Sequence, residues 1–174
     1  MVDYGLVTSI ASTIAIVVTL ITFSVQIRRQ QFSLQMDLLM KLEEMMESEK
    51  MRILRKAASK KLLSGKATYS DVNSLLNYFA TIAFLYNRKA INQDILYNEF
   101  SWWIVRYWLC CQHLVLEWRK TDPMTFTGLE QVANKLIKRE KKDKMPTVTE
   151  EVRIKFLQVE SSLLIQSGPS RNRL

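Results

Sequence analysis

The hydrophobic pattern of the chain falls into two regimes that meet at Arg28. Residues Leu6 to Ile27 read LVTSIASTIAIVVTLITFSVQI, without one ionisable group. At 1.5 Å per residue these 22 residues would reach about 33 Å as a helix, which matches a hydrocarbon core of about 30 Å. The run closes on Arg28-Arg29, while the other flank offers only Asp3 and Tyr4. The pattern therefore predicts a transmembrane helix over 6–27, and the charge asymmetry predicts an outside N-terminus and an inside C-terminus. A cleaved signal peptide fits less well, because its leading region is positive and this one carries an aspartate. A buried soluble helix is seldom apolar on every face for six turns.

Small and hydroxylated residues recur four apart in this run. Thr8 and Ser12, and Ala11, Ala15 and Thr19, have the spacing that lets two helix backbones approach closely, and they form a candidate helix-association face. The alternative is that serine and threonine bond their own helix backbone and need no partner.

From Arg28 onward the apolar positions adopt a helical period. Phe32, Leu39, Met46 and Ile53 recur every seven residues, with Met36 and Leu42 beside them, which predicts one helix over 28–63. It reads either as a helix packed on its own domain or as a short coiled-coil stalk. Ser64-Gly65 ends it, because glycine readily takes the left-handed conformation that closes a helix. Ser70 is the expected N-cap of the next helix, whose stripe is Val72, Leu75, Leu76, Phe79, Ile82, Ala83 and Tyr86. Asn92 caps the following one, with Leu96, Phe100, Trp103, Ile104, Tyr107, Cys111, Leu114, Val115 and Trp118 as its stripe. Asp122-Pro123 breaks that helix, and a basic segment follows. Thr147 and Glu150 have capping-box spacing and open a last helix through Val152, Phe156, Leu157, Val159 and Leu163, stopped by Gly168-Pro169.

The expected fold class is thus all-α: one N-terminal transmembrane helix followed by a bundle of about four to five helices. The expected domains are a short extracytoplasmic N-terminus at 1–5, the span at 6–27, a cytosolic helical domain at 28–166 and a loose tail at 167–174. Composition agrees with long helices, since the 174 residues include only four glycines and three prolines. The net charge is +8; setting Asp3 aside leaves 16 acidic against 25 basic residues, so the expected cytosolic part carries +9. Cys110 and Cys111 are adjacent, and neighbouring helical residues diverge by about 100°, so no disulfide framework is expected.

The stretch Leu75 to Trp108, LLNYFATIAFLYNRKAINQDILYNEFSWWIVRYW, resembles a bacterial membrane-anchored family catalogued as a domain of unknown function, number 4760. Leu76, Asn77, Tyr78 and Phe79 match its first helical element. Ile91, Asn92 and Asp94 match its turn, with asparagine where aspartate is expected. Glu117-Trp118-Arg119, Pro123 and the segment Leu129 to Leu136 resemble its downstream portion. The resemblance implies an all-α, membrane-tethered, bacterial protein. It implies no activity.

Candidate chemistry is sparse. His113, with Cys110 and Cys111, does not form a zinc set, because Cys-Cys-x-His on one helix places the groups on different faces. Gly65-Lys66-Ala67-Thr68 echoes the end of a phosphate loop but lacks the earlier glycine and the preceding strand. No catalytic residue, cofactor or metal is expected, and the chain is not expected to be an enzyme. Asn77 and Arg106 interrupt apolar helices and are expected to be bonded core groups. Trp102, Trp103 and Trp108 form a candidate partner face. Arg28, Arg29, Lys135, Lys138, Arg139, Lys141 and Lys142 are candidate contacts for anionic lipid. Nucleic acid is disfavoured for want of a stacking motif. These features describe an inner-membrane, self-associating helical interaction module whose partners are lipid and a second copy or another protein. The alternative is an anchored regulator that binds one partner protein or anionic lipid through its aromatic and basic faces.

Overall fold

The computed structural model describes residues 4–163, with side chains from Ala15 onward; the loose tail expected at 167–174 lies outside the described residues. All described secondary structure is helical: α1 Tyr4–Glu47, α2 Glu49–Leu63, α3 Tyr69–Asn87, α4 Gln93–Ile95, a π-helical turn Leu96–Phe100, α5 Ser101–Trp118, α6 Thr127–Lys142 and α7 Glu150–Ser161. The chain divides into two compact units, Met1–Leu42 and Glu43–Leu174.

The anchor expected at 6–27 is corrected. Among the described residues no helix is long and apolar enough to cross a membrane. The single-pass topology, the outside N-terminus and the inner-membrane localisation fall with it. In the first unit the described apolar side chains from Ile16 to Ile27 are all exposed.

In the second unit α2 packs on α3 and α7, α5 on α3, α6 and α7, and α3 on α6. The core is the stripe expected on α3 (Val72, Leu75, Leu76, Phe79, Ile82 and Ala83), facing Ile104, Tyr107, Trp108 and Cys111 of α5 and Leu129, Val132, Ala133 and Leu136 of α6. The helix expected over 28–63 is divided at Ser48. There the backbone turns extended (φ −58°, ψ 147°), and the Ser48 hydroxyl oxygen accepts from Met51 N at 3.3 Å to cap α2. A serine followed by Glu49 favours a new helix start, because the carboxylate sits in the first turn near the positive dipole end. Past this break the stripe shifts, so that Ile53 is exposed while Met51 is buried; Phe32, in the first unit, is exposed as well.

The π turn re-phases the aromatic helix. Core residues Leu96, Phe100, Ile104 and Trp108 are spaced four apart, and each such step drifts by about 40° on a helix of 3.6 residues per turn. The wider π turn between Leu96 and Phe100 offsets one step, so all four are buried.

Three helices end in the same hydrogen-bond pattern, a Schellman motif. For α2, Gly65 N donates to Leu62 O and Lys66 N to Lys61 O; for α3, Lys89 N donates to Tyr86 O and Ala90 N to Leu85 O; for α6, Lys144 N donates to Lys141 O and Met145 N to Glu140 O. The residue in the left-handed region is Gly65 in the first case but Lys89 (φ 60°) and Lys144 (φ 55°) in the others. A side-chain-bearing residue there costs about 1 kcal/mol or more relative to glycine.

Candidate functional site

The residues expected to bind do not share one surface. Trp102 is half exposed, and the Arg106 guanidinium lies 3.3 Å from the centre of its ring. Trp103 is half-buried, with the Arg55 guanidinium 5.9 Å from its ring centre. Trp108 is buried in the core, so it belongs to no surface. Consecutive helical positions diverge by about 100°, which is why Trp102 and Trp103 face apart.

The basic run of α6 also divides. Arg139 pairs with Asp94 at 2.9 Å and its guanidinium lies over Tyr97 at 4.1 Å. Lys135, Lys138, Lys141 and Lys142 are exposed, as are Arg28 and Arg29 in the first unit. On the association face the side chains of Thr8, Ala11 and Ser12 lie outside the described residues. Ala15 and Thr19 are exposed, and the Thr19 hydroxyl donates to Ala15 O at 2.8 Å.

A buried polar network that the sequence reading missed lies where α2, α5 and α7 meet. The Tyr107 hydroxyl donates to Glu160 Oε2 at 2.7 Å and lies 3.2 Å from the Ser59 hydroxyl. Arg55, 3% exposed, places Nε 3.1 Å from the same carboxylate oxygen and Nη1 3.8 Å from Glu47. Neither nitrogen is aligned for a hydrogen bond, so the attraction is Coulombic. Burial pushes the Tyr107 phenol far above its ordinary range, and the Glu160 charge pushes the same way, so the hydroxyl remains a donor. Phe156, one turn before Glu160, sets its ring edge-on to Tyr107 at 4.9 Å. The last helix therefore turns Phe156 and Glu160 inward, while Val159, expected in its stripe, is exposed. An i, i+4 phenylalanine–glutamate pair was legible in the sequence, but a charged residue counts against a buried face unless its partner is known.

A second buried pair links α5 and α6, with Arg106 Nη1 3.7 Å from Glu140 Oε1. Burial raises the Glu140 carboxyl pKa, opposed by Arg106, and burial lowers that of Arg106. Arg106 is the bonded core group expected, donating to Trp102 O at 3.1 Å. Asn77 is not: it is exposed and donates to Asn73 Oδ1 at 3.1 Å.

These clusters join helices and contain no activated nucleophile. Burial raises the Cys110 thiol to about 11 and the fully buried Cys111 thiol higher still. Such thiols stay protonated and are poor nucleophiles and ligands. Among the described residues no three His, Cys, Asp or Glu side chains are grouped to hold a metal ion.

No curated protein and no solved structure matched the chain in comparison with known proteins. Residues 9–136 match the family described as "Domain of unknown function (DUF4760)". The match ends within α6, so α7 and its Glu160 lie beyond it. It speaks to kinship and says nothing of a bacterial source or an anchor. Covering well over half of the 174 residues, it shows that the chain belongs to the DUF4760 family.

Proposed function

We propose that this protein is a helical assembly module that self-associates through α1. The observation that carries the reading is the surface of that helix between Ala15 and Ile27. Ile16, Val17, Val18, Leu20, Ile21, Phe23, Val25 and Ile27 are each 38–60% exposed, and successive positions point about 100° apart, so every side of the helix is apolar. The hydroxyls along it make no demand on a partner, because Thr19, Thr22 and Ser24 donate to the carbonyls of Ala15, Val18 and Leu20. Apart from the Gln26 carboxamide this surface carries no charge and no free hydroxyl, so a second copy can cover it without burying an unanswered charge.

Magnitude sets the order of the assembly. Fully burying one such side chain is worth about 1.5–3 kcal/mol, and eight that are already half covered by their own helix offer on the order of 5–10 kcal/mol. Association costs about 4–15 kcal/mol in lost freedom. One partner helix covers only one side, so a stable assembly needs more than one neighbouring copy. Sedimentation of the full chain and of Leu20→Lys tests this. The parent chain is expected to sediment above dimer mass, and the lysine variant to shift toward monomer. A monomeric parent chain, or one captured by lipid vesicles without self-association, contradicts the proposal.

The alternative, a regulator that binds one partner protein or anionic lipid through its aromatic and basic faces, would rest on Trp102, Trp103 and the exposed lysines of α6, because Trp108 is buried.

A further inference from the structure

We infer that the cleft between the end of α3, the turn before α4 and α6 binds a phosphomonoester group. The cleft is an open depression of about 370 Å³. Lys89 and Lys135 line it from different elements, with Asn87, Asn92 and Gln93 beside them, and Asn92 uses its carboxamide oxygen to accept from Ile95 N. No carboxylate lines it.

Among the lysines with described side chains only Lys120 is in an ion pair, so what distinguishes this place is that two of the others, Lys89 and Lys135, line one cleft. Arg52, Arg55, Arg106, Arg119 and Arg139 are each answered by a carboxylate within 4.0 Å. Lys89 and Lys135 take part in no ion pair among the described residues. Asp94, the carboxylate nearest in sequence to the turn, is held by Arg139 at 2.9 Å. The Lys135 ammonium is placed 5.3 Å from the centre of the Tyr86 ring, and Ile91, 2% exposed, closes the cleft floor.

Lys89 occupies a backbone position that glycine would fill without strain, at φ 60°. A lysine there interacts favourably with the negative end of the helix dipole, as Lys144 does at the end of α6, and it also brings an ammonium to the cleft. Two unanswered positive charges match the roughly −1.5 to −2 charge that a phosphomonoester carries at neutral pH. A carboxylate would leave one ammonium unanswered. Lysine binds phosphate as a point charge, and the carboxamides supply N–H donors to the remaining oxygens. The Tyr86 ring and Ile91 provide apolar wall for the organic part of the ester.

Such a group reaches a protein either on a soluble metabolite or on a lipid headgroup. The test uses the full chain with two probes at constant ionic strength: glycerol 3-phosphate by calorimetry, and phosphatidylcholine vesicles containing phosphatidic acid by flotation, with phosphatidylcholine vesicles alone as the baseline. At least one probe is expected to bind saturably, and its affinity to fall at least tenfold in both Lys89→Gly and Lys135→Ala. Because Lys89→Gly relieves the helix end, that variant is expected to melt no lower than the parent chain while losing the ligand. Binding of glycerol 3-phosphate assigns the site to soluble esters, and binding of the vesicles alone assigns it to a headgroup. No saturable binding to either probe, or binding retained in either variant, overturns the inference.

Discussion

Tyr107 and Glu160, fifty-three positions apart, share a 2.7 Å hydrogen bond that fastens the last helix to the aromatic one. The acceptor is a carboxylate and the pair is buried, so the bond is of the charge-assisted kind, worth about 1.5–3 kcal/mol. Tyr107→Phe is expected to lose about that amount in urea denaturation without changing helix content. A loss below about 0.5 kcal/mol would mean that Arg55 alone holds the carboxylate.

Arg55 provides a sharper test of the same network. Removing it leaves Glu160 buried without its countercharge, a situation that costs about 3–5 kcal/mol. Arg55→Met is therefore expected to be strongly destabilising, and Arg55→Met combined with Glu160→Leu to recover most of the loss. Additive losses in the double variant, by the same denaturation measurement, would show that the two side chains do not act as a pair.

Glu140 gives stability a distinctive pH dependence. Its folded-state pKa lies above the ordinary 4.5, because burial outweighs Arg106. The folded chain then holds this proton more tightly than the unfolded chain does. The group's contribution is fully present below about pH 4.5 and is lost as pH rises through the folded value. Unfolding free energies from pH 4 to 8 are expected to show the advantage of the parent chain over Glu140→Gln shrinking as pH rises. A growing advantage would reverse the assignment and make the Arg106 attraction dominant.

Lys144, like Lys89, sits in the left-handed region at a helix end. Lys144→Gly is expected to stabilise the chain by up to about 1 kcal/mol, the flexibility of glycine in the unfolded state offsetting part of the relief. Lys144→Ala keeps the Cβ and should give no such gain in thermal melting.

Much of the second unit was legible because its helices obey one rule, an apolar stripe at helical spacing. The stripe on α3 from Val72 to Ala83, most of that on α5, the Asn92 cap and the Gly65 stop were read from spacing and turn chemistry. What escaped depends on neighbours distant in sequence. Glu160 is inside because Arg55 and Tyr107 await it, and Asn77 is outside because no helix covers that face. The break at Ser48 and the π turn at 96–100 are local, yet each interrupts a pattern that continues on both sides, so periodicity alone ran through them. Capping residues were displaced by two positions, from Ser70 to Thr68 and from Thr147 to Thr149, where several hydroxyls compete. Of the features the proposals use, spacing marked the apolar run of α1 as a membrane span, which is corrected above, and charge marked Lys135 as a contact for anionic lipid. Neither could identify Lys89, whose relation to Lys135 exists only once α3 and α6 pack.

The central claim concerns α1, and native mass spectrometry of the full chain over a wide dilution series tests it most directly. A discrete assembly of more than two copies, dissociating on dilution and shifted toward monomer by Leu20→Lys, is the expected result. A monomer at every concentration, or an assembly of the same mass and the same dilution behaviour in the lysine variant, would contradict it.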